Sequence, residues 1–584
     1  MPNFLAMSFD GELAPSFDLS CIHPGRKPPD GWGIGYYPGG ELSASVLKEC
    51  APPSGSIRSE LVKEWEHLAS GVFVLHIRTA TWGRISDADT QPFTRSHGRR
   101  DWAIAHAGSL ERRLDVDPGA RFEPVGSTDT ERVFCSLMNR IAERGWHSLA
   151  DVDPGRLREW LDRINDLGVL SIVLTDGRDL AVYADRNDTV GVHLWEIRPP
   201  YEALVFGDDD LQVDLTERGI KTRAGVVACT DPLKVTRGDP AAWRKLAPGH
   251  LAVVRQGAIT AEVGPEGAAN RPSTPPRIAP SARLIRPVAA PTRRFEIHHR
   301  TAYRYDKPVE RSRHLLRLTP LHDRVQTLVR SSLSLSVDGQ RREYEDVFGN
   351  TVHLVNLETP WIELVIDARS LVEVRDHDTF AGGSLRSAES IPVVWMPWQR
   401  HMLQPFLLPP ELPESELEEL IAYAMSFVER NDGDLIDTLL DVNASIHNGY
   451  EYRQGITTLS TTAYETYARR RGVCQDFTNL FISLARLLGV PARYVCGYLY
   501  TGPKHENQRQ SEASHAWAQV YLPKIGWRGF DPTNGVVAQT DHVRVATGRN
   551  YVDATPTSGT IFVGGGAETL EVSVKVEMEG TSPP

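Results

Sequence analysis

Apolar and polar positions change rhythm several times along the chain, and the changes divide it. Over residues 1 to about 262, short apolar runs at Phe4–Ser8, Gly33–Tyr37, Gly71–Arg78, Trp102–Ala107 and Ser171–Leu174 read as strands. Three stretches, Ser59–Ala69, Asp129–Arg144 and Pro154–Leu167, have helical spacing instead, and Pro/Gly-rich turns separate the elements. That order predicts sheets sandwiched between helices.

From Gly264 to Arg294 the rhythm disappears. Gly-Pro-Glu-Gly-Ala-Ala-Asn-Arg-Pro-Ser-Thr-Pro-Pro-Arg is followed by prolines at 280, 287 and 291, a composition that cannot build a core and predicts an extended tether over 263–293. Residues 294–378 then alternate with period two in Phe295–Tyr305, Ser332–Val337, Thr351–Leu357 and Trp361–Val374. Asp338-Gly339 and Gly349-Asn350 fall where hairpin turns are needed, so a small β-sandwich is expected. His298 and His299 lie in the first run. Neighbours on a strand point to opposite faces and could not share a metal ion.

Residues 379–579 form the last region. A stretch with prolines at 392, 397, 405, 409, 410 and 413 leads to helices at Glu414–Glu429 and Gly433–Ile446. From Phe477 the apolar positions are 477, 480, 481, 484, 487 and 488, one buried helical face that Gly489 and Pro491 end. Strands follow at Ala492–Tyr500, Ser511–Tyr521 and Trp527–Thr533, with the polar loop Thr501–Gln510 expected to border a substrate groove. A last strand, Leu570–Val576, alternates cleanly after Gly564-Gly565-Gly566, which is a turn and not a phosphate loop because no Lys-Ser/Thr follows. Gly580–Pro584 reads as a disordered end.

Composition narrows the classes. A chain of 584 residues has room for three or four domains, and 41% hydrophobic with 24% charged residues is the balance of a soluble globular protein. A net charge of −12 without a long Lys/Arg run argues against nucleic acid as a partner. No apolar stretch has membrane-spanning length, and Met1–Ala6 lacks the features of a signal peptide, so the membrane is not an expected partner. Six cysteines, at 21, 50, 135, 229, 474 and 496, are scattered without ligand spacing, so neither a disulfide framework nor a zinc site is expected; no acidic D-x-D-x-D-G loop marks a calcium site, and no metal or cofactor is expected. The cytoplasm suits such a thiol inventory. Oligomeric state is not readable.

One cysteine stands apart. Cys474 falls at the start of its helix, where unpaired N–H groups and the macrodipole favour the thiolate. Cys496, within a strand, reads as a small buried residue. A thiolate nucleophile needs a base, and the base needs an orienting acceptor. His515 and Asp531, on the two strands that follow, supply both. Their register is open: a turn centred on Pro523 puts His515 opposite Asp531, whereas one nearer Lys524–Ile525 leaves them about three residues out of step. Tyr500 and Trp517 could line the groove, but Trp517 reads first as core.

The phrases GVCQDF at 472–477, GVPARYVCGYLY at 489–500, SEASHAWAQVYL at 511–522 and GWRGFDPTNG at 526–535 resemble the bacterial branch of the transglutaminase-like cysteine hydrolases. The resemblance implies a papain-like core, with Cys474, His515 and Asp531 as catalytic residues and acyl transfer through a thioester. It also implies that the preceding sandwich is the N-terminal region that accompanies such cores.

In the first 250 residues, DGWGIGY at 30–36, HIRTAT at 76–81, AHAGSL at 105–110 and GSTDTE at 126–131 resemble class II glutamine amidotransferases. That implies an N-terminal-nucleophile hydrolase fold, with Arg78 gripping a glutamine α-carboxylate and Asp129 with Gly108 holding its α-amine. The chemistry departs from the family. Pro2 stands at the nucleophilic cysteine, Ala107 at the oxyanion-hole asparagine, and Gln91-Pro92-Phe93 at an HPF phrase. Loss of one oxyanion donor typically costs about 2.7–4 kcal/mol of transition-state stabilisation. Three readings stay open for this half: a scaffold, a pocket for a glutamine or γ-glutamyl group, and a hydrolase using the Pro2 amine.

The sequence therefore predicts an α+β multidomain protein. It comprises an N-terminal αββα sandwich of the N-terminal-nucleophile hydrolase type, a small β-sandwich and a papain-like transglutaminase core. The expected activity is cysteine-dependent cleavage of an amide or peptide bond, with hydrolysis favoured over transamidation. The expected substrate is a peptide or protein bearing glutamine or γ-glutamyl groups. Its alternatives are a non-catalytic assembly protein and a protein-crosslinking transglutaminase.

Overall fold

The computed structural model describes residues 3–19, 28–65, 67–79, 85–117, 119–218, 221–265, 267–268, 292–375, 390–502, 514–523 and 525–579. Pro2, most of the 263–293 tether, most of the Thr501–Gln510 loop and Gly580–Pro584 lie outside them, while the start of the expected tether is sheet instead, Gly264 pairing with Gly267 and Val263 with Ala268. Two compact units result, one of Met1–Arg277 with Met425–Arg430, the other of Ile278–Ala424 with Asn431–Pro584. Among the described residues no helix is long and apolar enough to cross a membrane.

The first unit is built on two seven-stranded sheets. One contains β1 (Phe4–Leu13) and β2 (Ser70–Arg78), the other β3 (Arg100–Leu110) and β4 (Gly168–Thr175). Small side chains fill the space between the sheets: Ala6, Val74, Ala105, Ala107, Val173 and Ala228 are buried there. On the outer face of the second sheet, α1 (Asp129–Glu143) and α2 (Pro154–Asn165) pack Val133, Phe134, Leu161 and Ile164 over Ile104, Leu170 and Ile172. The other outer face, with Leu5, Phe73 and Trp32, is covered by a four-stranded sheet through Phe206 and Val213, and by the Ile57–Glu64 helix. The αββα sandwich is therefore present, with one helical layer shortened. The expected 59–69 helix begins earlier because Ser56 caps it, accepting from the Ser59 N–H.

The second unit begins with β5 (Arg293–Leu316), a single strand of 24 residues. Its first half pairs with the strand at 361–374 and its second half with the strand at 351–357. The strands that follow it in the chain are β6 (Gln326–Leu335), β7 (Gln340–Glu345), β8 (Thr351–Leu357) and β9 (Trp361–Val374). The sheet order is β6-β9-β5-β8-β7. Gly349-Asn350 joins the paired strands β7 and β8 as a hairpin. Asp338-Gly339 does not, since β6 and β7 lie at opposite edges of the sheet and that turn makes a crossover. β7 (QRREYE) escapes sequence reading because it is exposed throughout and has no alternation.

The papain-like region centres on α3 (Cys474–Leu487), which packs on a sheet made by β10 (Ala492–Leu499), β11 (His515–Leu522), β12 (Gly526–Asp531) and β13 (His542–Gly548). Strand order is β12-β11-β10-β13, with a two-residue strand outside β12. Phe481 of α3 stacks on Phe530 of β12 at 5.4 Å and 22°. Two strands close the chain, β14 (Thr557–Gly564) and β15 (Glu568–Met578). Sequence reading attached the last strand to the catalytic region. It pairs instead with β5, from Phe295↔Met578 to Tyr305↔Glu568, so it belongs to the sandwich sheet.

Candidate active site

Cys474 is the first residue of α3. The chain reaches it through Arg470, whose left-handed φ of 51° ends the preceding helix, and through Val473, whose N–H donates to Asp476 Oδ2 at 2.8 Å. That carboxylate fixes the helix start and leaves Cys474 among the backbone donors without intrahelical partners. Its thiol is half-buried, unlike Cys135, Cys229 and Cys496, which are buried. Burial pushes the Cys496 thiol up to about 12, with the neighbouring Cys474 adding to the shift.

β11 and β12 pair Leu522 with Gly526 and Ala518 with Phe530. His515 and Asp531 are consequently two residues out of step, between the two registers left open by the sequence. An even offset keeps both side chains on one face, as diagonal neighbours, whereas an odd one would divide them. The His515 ring spans the gap. Its Nε2 meets Asp531 Oδ2 at 2.8 Å, and the Cys474 side chain is near enough to raise the proton affinity of the imidazole. Burial alone would pull His515 down. The Asp531 carboxylate and Cys474 outweigh it and hold the imidazolium up to about 10. Burial raises Asp531, but His515 and His542 pull its carboxyl well below the usual range.

Asp531 is fully buried. Its Oδ1 accepts from the backbone N–H groups of Thr533 and Asn534 at 3.0 and 3.2 Å, an Asx-type turn. Its Oδ2 accepts from Asn534 Nδ2 at 2.7 Å and lies 3.1 Å from His542 Nε2. Sequence reading missed both residues. Asn534 had a local signal in the DPTN turn; His542, two strands from His515 in the sheet, had none. Trp517, 1% exposed, is core as expected, yet its ring stacks on His515 at 6.0 Å and meets His542 edge-on at 5.1 Å. Tyr500 packs against Phe295 at 5.2 Å.

His515, Asp531 and His542 also present three possible metal-ligand atoms within 4.8 Å of one another. The hydrogen bonds just described already engage those atoms. His298 bonds to Asp367, and His299 to Tyr498 and Thr301.

In the first unit, Arg78 ends β2 and is buried. Asp129 opens α1, its Oδ2 accepting from the Leu110 N–H and its Oδ1 from the Thr130 N–H, both at 2.8 Å. Gly108, at φ 131° in β3, lies two residues from Leu110; a Cβ there would collide with the Val169 carbonyl. His106 links the parts, with Nδ1 2.9 Å from Thr130 Oγ1 and Nε2 3.1 Å from the Val169 carbonyl. Gln91 Oε1 accepts from the His106 N–H at 2.7 Å, and Gln91 Nε2 donates to Thr130 Oγ1 at 3.2 Å. Burial pulls His76 down to about 3, with His106 and Arg78 acting on it from nearby. Gly108 and Asp129 are thus joined through one short segment. Ala107 is buried between the sheets and carries no donor.

Comparison with known proteins follows the same division. Residues 1–277 match the class II glutamine amidotransferases, residues 295–373 the bacterial transglutaminase-like N-terminal region, and residues 421–532 the transglutaminase-like superfamily. An uncharacterized Mycobacterium tuberculosis protein is 32% identical over 298 residues, spanning 49% of this chain and 93% of its own length. The putative glutamine amidotransferase YafJ of Escherichia coli is 30% identical over 227 residues, 38% of this chain and 82% of its own. A solved putative cysteine protease from Cytophaga hutchinsonii has 22% identity and a TM-score of 0.41, covering 51% of this chain and 94% of that one. A predicted glutamine amidotransferase from Pseudomonas aeruginosa has 25% identity and a TM-score of 0.36, covering 44% and 99%.

Proposed function

We propose that this chain, which belongs to the class II glutamine amidotransferases in its first half and matches the transglutaminase-like superfamily over residues 421–532, cleaves an amide or peptide bond through a thioester on Cys474. The observation that carries this reading is the His515 ring, which is bonded to Asp531 at 2.8 Å and lies near enough to Cys474 for the thiol to act on its proton affinity. His515 takes the thiol proton, and Asp531 holds the ring in the useful tautomer. The sulfur attacks the substrate carbonyl, and the Cys474 N–H at the helix start donates to the oxyanion. As the C–N bond breaks, His515 returns the proton to the departing amine. Water then attacks the thioester carbonyl, His515 takes its proton, and the acid leaves with Cys474 restored. An amine in place of water would give transamidation; hydrolysis is the favoured outcome.

For the first half we propose binding without hydrolysis. Pro2 and Ala107 replace the groups that do the family's chemistry, while Arg78, Gly108 and Asp129 remain to hold a glutamine or γ-glutamyl group. A peptide bearing such a group would then be the substrate of the cysteine site. The cytoplasm suits an enzyme whose thiol must stay reduced.

The decisive test is brief, limiting iodoacetamide at about pH 6 with peptide mass spectrometry, where ordinary thiols are mostly protonated. Cys474 should be labelled first, and His515→Ala should slow it by about tenfold or more. Labelling of Cys474 no faster than Cys50 would sink the thioester mechanism.

A further inference from the structure

We propose that His542 is a positioning residue for this reaction, holding the Asp531 carboxylate in line with His515 and joining that carboxylate to the β-sandwich; the inference rests on the thioester reading above.

The geometry is a shared acceptor. Asp531 Oδ2 takes His515 on one side at 2.8 Å and His542 on the other at 3.1 Å. The His542 tautomer is set by its own turn, because the Gln539 N–H points at Nδ1 at 3.4 Å. Nδ1 therefore accepts, and the ring proton sits on Nε2 and is donated to Asp531. With Asn534 Nδ2 at 2.7 Å as the third donor, Oδ2 is held from three directions and cannot rotate away from His515. Trp517 lies against both imidazoles, stacked on one and edge-on to the other, so the two rings keep a fixed mutual angle.

His542 opens β13, and β13 is anchored outside the catalytic sheet. Arg544 makes two 2.7 Å bonds to Asp323, and its backbone N–H and carbonyl are both bonded by the Gln326 side chain. The Asn350 amide does the same for Thr547, at 2.8 and 2.7 Å. Val543 and Val545 share a buried cluster with Phe295, Ile297 and Val372 of the sandwich. Side chains from both faces of β13 thus fasten the strand to the sandwich, Val543 from one and Arg544 from the other, and the Arg544 face also delivers the His542 imidazole to Asp531. This gives the sandwich a task in catalysis that it can perform without touching substrate.

Two substitutions separate positioning from space-filling. In His542→Asn the side-chain oxygen can replace Nδ1 and keep the Gln539 bond, but nothing reaches Asp531. In His542→Gln the amide nitrogen can replace Nε2 and keep the Asp531 bond, while the Gln539 bond is lost. The readout is the Cys474 alkylation rate at about pH 6 in the full chain, beside the melting temperature. Positioning predicts about a tenfold loss in His542→Asn and a rate within about twofold of wild type in His542→Gln. A folded His542→Asn at the wild-type rate, or equal loss in both variants, overturns the inference and leaves the thioester reading standing. A wild-type Cys474 no faster than Cys50 overturns both. Should His542→Asn not fold, the wild-type ring decides. Long-range nitrogen–proton correlation of labelled histidines should show the Nε2–H tautomer at His542, and the Nδ1–H tautomer would overturn the inference.

Discussion

Gly497 of β10 lies beneath the Trp517 ring. A Cβ at this position would be 2.6 Å from Trp517 Cη2 and would collide with the Val543 carbonyl. The ring that stacks on His515 is therefore seated by the absence of a side chain on the neighbouring strand. Gly497→Ala should cost about 1–3 kcal/mol in chemical denaturation, the usual range for overpacking a close contact. It should also slow Cys474 alkylation by displacing Trp517 from His515. A stable variant with unchanged reactivity would show that the ring is not needed there.

The charges of the site predict a direction for stability. His515 is held up to about 10 when folded, against about 6.5 when unfolded, so its contribution is complete below the unfolded value and is lost as pH rises through the folded one. Asp531 is displaced the other way; its contribution is present above about 3.9 and is lost as pH falls toward its depressed value. The melting-temperature advantage of wild type over His515→Gln should shrink steadily from about pH 6.5 to about 10. An advantage that grows across that window contradicts the proton placed on His515.

Asn350 is fully buried and bonds to both backbone groups of Thr547. Asn350→Ala would leave those groups without these partners, costing about 1–3 kcal/mol in urea unfolding. Because Thr547 shares β13 with His542, the same variant should lower Cys474 reactivity at temperatures where it is still folded. Full reactivity in a destabilised but folded protein would mean that β13 keeps its place without this anchor.

In the first unit, isothermal titration with glutamine and γ-glutamyl peptides should give binding that Arg78→Ala abolishes. Heat that is unchanged by the substitution, or no heat at all, would leave that half a scaffold. Cysteine-site activity on unrelated peptides should be unaffected by Arg78→Ala.

Cys474, His515 and Asp531 were legible because each sits in a segment whose local pattern announces it: a helix start, an alternating strand, a strand ending at a turn. What sequence could not supply was their offset, since residues near a turn do not by themselves fix the pairing of Leu522 with Gly526. His542 was hidden for a related reason. Its partner is chosen by strand order, with β11 and β10 lying between Asp531's strand and its own. The twofold rhythm of Leu570–Val576 likewise revealed a strand without revealing its neighbour. β7 was invisible because alternation requires one buried face, and this strand has none.

That neighbour sets an order of assembly. β5 lies at 293–316, yet it pairs along much of its length with strands at 557–564 and 568–578. During synthesis its hydrogen-bonding edge must wait until the whole β10–β13 sheet has been made, so the strands that carry His515 and Asp531 are available to fold before the sandwich can close. Such distant pairing is slow and leaves an open strand edge in the meantime. In a ribosome-bound chain halted before residue 557, β5 would be the edge to guard against pairing with other copies.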